Sequence, residues 1–303
     1  THRHADYSVT YQIDSSGLRA DPEARDEFND LIIGDSFTFG LGVTDGQTFV
    51  SRLNGAGGRL RNAAVPGYAT DQELLWLREL LGRYRPRRVI LAVYLGNDFF
   101  DNALPFPLQA AYGKPFFELR EGTLHLRNQP VPRSPKSATV QEQDVRRLMS
   151  QGRSGHGSWW IRAAAGTKLG QLLLALLPAR SPEALPQAQW QLYAPYVALF
   201  EALLRETERT VVASGAELLL VTLPGHSYVL LPWSYAAVQQ ELFRQAVVTG
   251  ARDMSIPVVD VARALRQSAK TSRGRNWFFA NDGHLTPEGH IEVAEQLRAL
   301  LQP

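Results

Sequence analysis

The sequence predicts an α/β fold, a flavodoxin-like three-layer sandwich around a five-stranded parallel sheet with an inserted subregion. Short apolar stretches of strand length alternate along the chain with segments of helical periodicity. This alternation is typical of parallel sheets that are covered by helices on both faces. The predicted strands, in chain order, are Asp30 to Ile33, Leu60 to Ala64, Arg88 to Tyr94, Glu217 to Leu223 and Pro257 to Val259.

Two of the predicted helices have recognisable starts. The segment from Thr70 to Glu73 matches a capping box, in which Thr70 is the N-cap and the Glu73 side chain reaches back to the N-cap N–H. The last helix is predicted to begin after Thr286, which can cap it, with Pro287 at the first helical position. The connections between strands are therefore helical, as the predicted fold requires.

The length of 303 residues and the apolar content of 44% suit one α/β domain over residues 1–303. Clustered prolines predict an insertion at 103–190. It is either a packed surface elaboration or a lid or rim for a substrate. Within it, Phe116 to Arg120 and Thr123 to Leu126 flank Glu121-Gly122 and predict a hairpin, and a helix is predicted from Ser158 to Leu177.

Composition excludes several classes of function. The net charge is +2, and the basic residues are scattered except for a cluster at the predicted end of a helix, Arg83, Arg85, Arg87 and Arg88. That cluster suits a solvated helix terminus better than a phosphate or nucleic-acid patch, so nothing indicates a nucleic-acid partner. The absence of cysteine excludes thiolate catalysis and cysteine-ligated metals. No apolar run approaches the ~18 to 20 residues that span a bilayer, so no transmembrane segment is predicted. The chain starts without Met or an apolar leader, so we expect any targeting segment to be missing from it.

Four short motifs follow predicted strands or precede the last helix. In chain order they are Gly34-Asp35-Ser36, Pro66-Gly67-Tyr68, Gly96-Asn97-Asp98 and Asn281-Asp282-Gly283-His284. The carboxyl ends of parallel strands are where open α/β sheets bind ligands. With serine, glycine, asparagine and histidine in this order, the chain resembles the SGNH hydrolases, the GDSL-type esterases and lipases, from about Asp30 to Leu301.

A serine hydroxyl becomes a useful nucleophile only when a base can take its proton and a third group orients that base. We predict these roles for Ser36, His284 and Asp282, respectively. In the family the acid usually lies three positions before the histidine, where this chain has Asn281. Some members resemble this chain in an Asp-x-His arrangement followed by a Gly-His pair on a helix, and this pattern makes His290 a helix residue and not a second base.

The resemblance implies three oxyanion-hole donors: the backbone N–H groups of Ser36 and Gly67 and the side-chain amide of Asn97. Gly67 also suits a turn that needs a positive φ, and the two roles are compatible. Asn97 has an alternative as a plain turn residue in a polar loop with Asp98, Asp101 and Asn102. The resemblance implies neither a metal nor an organic cofactor.

Candidate substrate contacts lie beside these motifs. They are Phe37, Tyr68 and His226, with Tyr228 after the same strand as His226. Core packing is an alternative role for Phe37. Asp35, next to the nucleophile, is expected to serve the turn by hydrogen bonding and not as the acid of the triad.

The sequence therefore predicts a serine esterase that hydrolyses carboxylic esters, acyl or acetyl, through an acyl-enzyme on Ser36. Its substrate would be a small-molecule, lipid or glycan ester. One alternative is an O-acyltransferase acting on a cell-surface polysaccharide, in which a sugar hydroxyl replaces water. Another is a non-catalytic carbohydrate-binding protein of the same fold. The resemblance also favours an exported or membrane-tethered bacterial protein.

Overall fold

A computed structural model describes residues 1–25, 27–55, 58–106, 112–135, 187–271 and 276–301 of the chain. A two-stranded antiparallel hairpin, β1 (His2–Arg3) and β2 (Ser8–Val9), precedes a five-stranded parallel sheet. The strands of the sheet are β3 (Asp30–Ile33), β4 (Leu60–Asn62), β5 (Arg88–Tyr94), β8 (Glu217–Leu223) and β9 (Val258–Val259). A second hairpin, β6 (Phe116–Arg120) and β7 (Thr123–Arg127), lies between β5 and β8 in the chain.

The strand order in the sheet is β4-β3-β5-β8-β9, with every neighbouring pair parallel. Counting only these five strands, the order is 2-1-3-4-5, which is the flavodoxin-like order. The predicted α/β class is thereby confirmed. Two predicted strand ends were slightly wrong: β4 stops at Asn62, and β9 begins at Val258.

Helices cover both faces of the sheet. The described helices are α1 (Ser36–Phe39), α2 (Phe49–Asn54), α3 (Thr70–Arg83), α4 (Asp98–Asp101), α5 (Gln187–Ala213), α6 (His226–Leu230), α7 (Tyr235–Asp253), α8 (Val261–Thr271) and α9 (Pro287–Leu301). Helices α2, α8 and α9 pack together in one layer, and α3, α5 and α7 pack together in the other. The middle strands β3, β5 and β8 are almost completely buried between the two layers.

The predicted capping box of α3 is wrong. Ala69 is the N-cap and makes no side-chain capping bond, while Thr70 is the first helical residue. The Thr70 hydroxyl and the Glu73 carboxyl are buried and have no hydrogen-bond partner within the described structure. Tertiary contacts replace the box, because the Asp71 N–H donates to Asn102 Oδ1 at 2.9 Å. By contrast, α9 begins at Pro287 as predicted, and Thr286 Oγ1 accepts the Gly289 N–H at 3.2 Å.

The region predicted as an insertion is described only in part. Its hairpin forms as predicted, with Glu121 and Gly122 at positive φ in the turn. The hairpin packs against α3 and α5 through Phe117, which joins a small apolar cluster with Leu74, Leu199 and Leu203. The helix predicted from Ser158 to Leu177 lies outside the described residues. Within the described part of the chain, no helix is long and apolar enough to cross a membrane.

Candidate active site

Ser36 lies at the carboxyl end of β3, on a tight strand-to-helix turn. Asp35 is the N-cap of α1, and its side chain accepts the Phe37 N–H at 2.9 Å, which confirms the predicted turn role of Asp35. A Cβ at Gly34 would come within 2.5 Å of Thr38 Oγ1 and 3.1 Å of the Ala92 carbonyl oxygen. Only glycine therefore lets the chain turn this close to α1 and β5, and the turn presents Ser36 above the sheet.

Three of the predicted site residues form one hydrogen-bonded chain. His284 Nε2 lies 2.7 Å from Ser36 Oγ, and His284 Nδ1 lies 2.8 Å from Asp282 Oδ2. Both distances are within the range for a base that faces a nucleophile and an orienting carboxylate. Asn281 takes no part in this series of hydrogen bonds, since its backbone N–H and side-chain amide donate to Asp6. The geometry therefore agrees with the shortened acid-to-base spacing predicted here.

The environment of His284 favours the neutral imidazole. Burial lowers the pKa of His284, Asp282 raises it in part, and the nearby His2 and His4 lower it further. The balance is a pKa below its ordinary value of 6.5. His284 is thus unprotonated near neutral pH and able to accept a proton from Ser36.

A cleft of ≈ 380 Å³ lies over this chain of residues. Its lining includes Ser36, His284 and Asp282, and also Asn97 and His226. Asn97 is the N-cap of α4, and its Nδ2 donates to Asp101 Oδ2 at 2.8 Å. Asn97 Oδ1 is buried and has no hydrogen-bond partner among the described residues. The structure thus places the serine and one predicted oxyanion donor at a common cleft.

Gly67 and Tyr68 occupy a different position. Gly67 has φ +81°, so its predicted turn conformation is present, but neither residue is among the described residues that line the cleft. Tyr68 instead lines a groove between α3 and the β6–β7 hairpin together with Trp76 and Pro115. Of the three predicted oxyanion-hole donors, Ser36 and Asn97 thus line the cleft, and Gly67 is not among its described lining residues.

The candidate substrate contacts differ in their surroundings. Phe37 lines the cleft, and its ring stacks on Tyr94 at 4.0 Å and lies 4.7 Å from the His284 ring, so it serves both the core and the cleft. His226 begins α6 at the cleft, and burial lowers its pKa. The expectation for Tyr228 is wrong, because Tyr228 is buried and its hydroxyl donates to Glu241.

Two other sequence expectations concern residues near the site. His290 is buried in α9, where its Nδ1 accepts the Phe49 N–H at 3.1 Å and burial lowers its pKa to about 3. It is therefore a packing residue, as predicted. The alternative of a polar loop around Asn97 is not what the structure shows, since Asp98 and Asp101 are buried in α4.

Sequence reasoning also missed a buried group of carboxyls beneath the cleft. The pKa of Asp35 is raised to about 7, chiefly by burial. Backbone hydrogen bonds lower this pKa in part, and the nearby Asp101 raises it further. Burial and the neighbouring carboxyls likewise raise the pKa of Glu73 and Asp98 well above their ordinary values. These acids are separated in the chain, and only the parallel sheet brings β3, α3 and α4 together.

The amino-acid sequence at 32–290 matches the model of the GDSL-like Lipase/Acylhydrolase family. The chain belongs to this family. The match confirms the family that the four motifs indicate, and with it the serine hydrolase class. No curated protein sequence matches the chain.

Several solved structures are similar to this GDSL-like hydrolase. A catalytic mutant of Axe2, an acetylxylan esterase from Geobacillus stearothermophilus, is 15% identical with a TM-score of 0.50, and the match covers 92% of this chain and 96% of that one. LAE5, an alpha/beta hydrolase enzyme from the metagenome of Lake Arreo, is 15% identical with a TM-score of 0.49, and the match covers 92% of this chain and 96% of LAE5. TesA is 15% identical with a TM-score of 0.46, and the match covers 90% of this chain and 98% of TesA. At 15% identity, the similarity to the Axe2 mutant concerns the fold alone.

Proposed function

We propose that this GDSL-like hydrolase is a serine esterase that cleaves carboxylic esters through an acyl-enzyme on Ser36. The observation that supports this proposal is the hydrogen-bonded chain from Ser36 through His284 to Asp282, which opens onto the cleft. Nucleophile, base and orienting carboxylate are all within hydrogen-bond distance without rearrangement.

In the first half-reaction, Ser36 Oγ attacks the carbonyl carbon of the ester while His284 Nε2 takes the hydroxyl proton. Asp282 holds the imidazole and stabilises its positive charge. The negative charge moves to the carbonyl oxygen, where the Ser36 N–H, the Gly67 N–H and the Asn97 amide are the proposed donors. Collapse of the tetrahedral intermediate breaks the ester C–O bond, and His284 returns the proton to the leaving alcohol.

In the second half-reaction, water replaces the alcohol. His284 Nε2 removes a proton from the water as its oxygen attacks the acyl carbon, and a second tetrahedral intermediate forms. Its collapse releases the carboxylic acid, and His284 returns the proton to Ser36 Oγ. A sugar hydroxyl in place of this water would give transfer of the acyl group instead of hydrolysis.

The test is covalent labelling combined with product analysis. A fluorophosphonate should label Ser36 in the unmodified protein, as shown by peptide mass spectrometry, and Ser36→Ala should abolish both the label and the cleavage of p-nitrophenyl esters. Ser227 is a matched control because it lines the same cleft but its hydroxyl accepts from Gln240 at 3.0 Å. Ser227→Ala should keep the label on Ser36.

Acetyl, butyryl and octanoyl esters, each with and without a sugar acceptor, distinguish the possible acceptors. If free carboxylic acid is the product both with and without the sugar, the protein is an esterase. If acylated sugar is the main product when the sugar is present, the protein is an acyltransferase. Labelling of another serine, with undiminished ester cleavage by Ser36→Ala, would refute the proposal.

A further inference from the structure

The loop of the first hairpin, residues 4–7, lies against the loop that carries Asp282 and His284. We propose that Tyr7 and Asp6 of this hairpin loop are positioning residues that hold Asp282 in line with His284. This inference rests on the proposed function, since it assigns a role relative to the triad. Tyr7 and Asp282, whose side chains are hydrogen-bonded, are 275 residues apart in the chain.

Tyr7 contacts the carboxylate of Asp282 directly. Its hydroxyl donates to Asp282 Oδ2 at 3.0 Å, and the same oxygen is 2.8 Å from His284 Nδ1. Two donors on one oxygen limit the rotation of the carboxylate and favour the orientation that faces the imidazole. Burial and the contact with Asp282 raise the pKa of Tyr7 above its ordinary value, so Tyr7 is a neutral hydrogen-bond donor throughout the working pH range.

The Tyr7 ring is itself held in place. It lies 5.0 Å from the ring of Phe279, on the same loop as Asp282. Gly42 adjoins both rings, because a Cβ there would come within 2.7 Å of Phe279 and 2.9 Å of Tyr7. The hydroxyl of Tyr7 therefore approaches Asp282 from a packed position, not from a free side chain in solvent.

Asp6 holds the backbone of the same loop. Its Oδ2 accepts the N–H of Asn281 at 2.8 Å and the N–H of Asp282 at 2.9 Å, and its Oδ1 accepts the Asn281 amide at 2.6 Å. Asp6 thus binds the main chain of the loop at Asp282, and the adjacent Tyr7 binds the Asp282 side chain. This double attachment is what distinguishes positioning of Asp282 from ordinary surface packing.

The hydroxyl of Tyr7 also affects the charge that His284 experiences. Its hydrogen points at Asp282 Oδ2 and neutralises part of the negative charge that stabilises a protonated imidazole. Without it, Asp282 stabilises the imidazolium more strongly, so the pKa of His284 rises. The other titratable groups that face this pair are His2, His4, Asp6, Tyr11 and His290.

The first test is Tyr7→Phe, which keeps the ring and removes only the hydroxyl. We expect kcat to fall about ten-fold, the size expected for losing one hydrogen bond to a charged group, with KM unchanged. We also expect the pKa of His284 to rise, measured both from the acid limb of the kcat/KM profile and from NMR titration of the His284 ring. Asp6→Ala, which removes the acceptor for the loop backbone, should lower kcat without raising KM.

Tyr11→Phe is the matched control. Tyr11 lies on the same N-terminal segment, but its hydroxyl accepts the Gly42 N–H at 2.9 Å and makes no hydrogen bond with Asp282 among those the structure describes. This variant should change kcat and the His284 titration far less than Tyr7→Phe does. A matching loss in Tyr11→Phe would show that the segment is merely structural and would refute the proposal.

A double-mutant cycle tests whether Tyr7 acts through Asp282. Tyr7→Phe should have no further effect on kcat or on the His284 pKa in the Asp282→Asn background. Equal effects in both backgrounds, or an unchanged His284 pKa in Tyr7→Phe, would overturn the inference. The NMR titration does not require turnover, so it decides this inference even if Ser36 labelling refutes the proposed esterase.

Discussion

The side-chain amide of Asn97 donates from Nδ2 to Asp101 Oδ2 at 2.8 Å, one turn further along the chain. An amide nitrogen carries two hydrogens, so this bond leaves one N–H of Asn97 for another acceptor. The buried carboxylate of Asp101 fixes the orientation of the amide at the cleft that contains Ser36. An oxyanion-hole donor that is held in this way needs no reorganisation when the charge develops.

Replacement of Asn97 tests this role. Asn97→Ala should lower kcat by ~10² to 10³, or ~2.7 to 4 kcal/mol, because the lost donor acts on the charge of the transition state. KM should change little, since the ground-state carbonyl carries less charge. Steady-state kinetics on a p-nitrophenyl ester measure both values. An unchanged kcat would leave Asn97 as the N-cap of α4 and nothing more.

The proposed role of Asp282 as the acid of the triad can be tested at two neighbouring positions. Asp282→Asn should lower kcat by about 10⁴ near neutral pH, because a neutral amide cannot balance the charge on a protonated imidazole. Asn281→Ala should cost far less, since the Asn281 side chain contacts Asp6 and not His284. Circular dichroism should show both variants folded. High activity in a folded Asp282→Asn would mean that Ser36 and His284 act as a dyad.

The acid limb of the pH profile should reflect the burial of His284. Only the neutral imidazole can accept the Ser36 proton, and burial lowers the pKa of His284 below its ordinary value of 6.5. The midpoint of the fall in kcat/KM on acidification should therefore lie below 6.5. Rates measured from about pH 4 to about pH 8 give this midpoint. A midpoint at or above the ordinary value would show that the imidazole is more solvated than the structure indicates.

Local sequence patterns predicted the parts of the site that local structure determines. Ser36 and His284 could be found because four short motifs follow one another in the order that resembles the SGNH hydrolases, and none of these motifs would have sufficed alone. Glu121-Gly122 likewise predicted a hairpin turn, in which the structure gives both residues a positive φ. Tyr7 and Asp6 could not be found, since nothing near them in the chain indicates a partner 275 residues away.

Errors arose where tertiary contacts override a local pattern. The sequence around Thr70 matches a capping box, yet Asn102, the C-cap of α4, accepts the Asp71 N–H, and the Glu73 side chain is buried. The alternative of a polar loop around Asn97 rested on the polar residues beside it, and the packing of α4 buries Asp98 and Asp101. Burial of acids is a property of the whole sheet and its layers, so short segments do not reveal it.

Buried Glu73 should make the stability of the protein depend on pH. The residue is 1% exposed, and both carboxyl oxygens lack a hydrogen-bond partner within the described structure. Burial, with Asp35 and Asp71 nearby, raises its pKa well above the ordinary value of 4.5. Between the unfolded and folded pKa values the folded protein holds the extra proton, so its free energy of unfolding falls as the pH rises through that interval.

Glu73→Gln should remove this contribution, because glutamine has nearly the same shape and does not ionise. Relative to the unmodified protein, the free energy of unfolding of the variant should increase by about 1.4 kcal/mol per pH unit above the unfolded pKa, until the folded pKa is passed. Urea denaturation at about pH 5 and about pH 8 measures the two differences.

Glu79 is a matched control on α3, since its side chain is 63% exposed and pairs with Arg83 at 3.1 Å. Glu79→Gln should show no such increase, since the Glu79 side chain is exposed to solvent and lies outside the buried group of acids. If Glu73→Gln changes stability equally at both pH values, Glu73 is solvated or paired in solution, and the acids beneath the cleft do not titrate as a buried group.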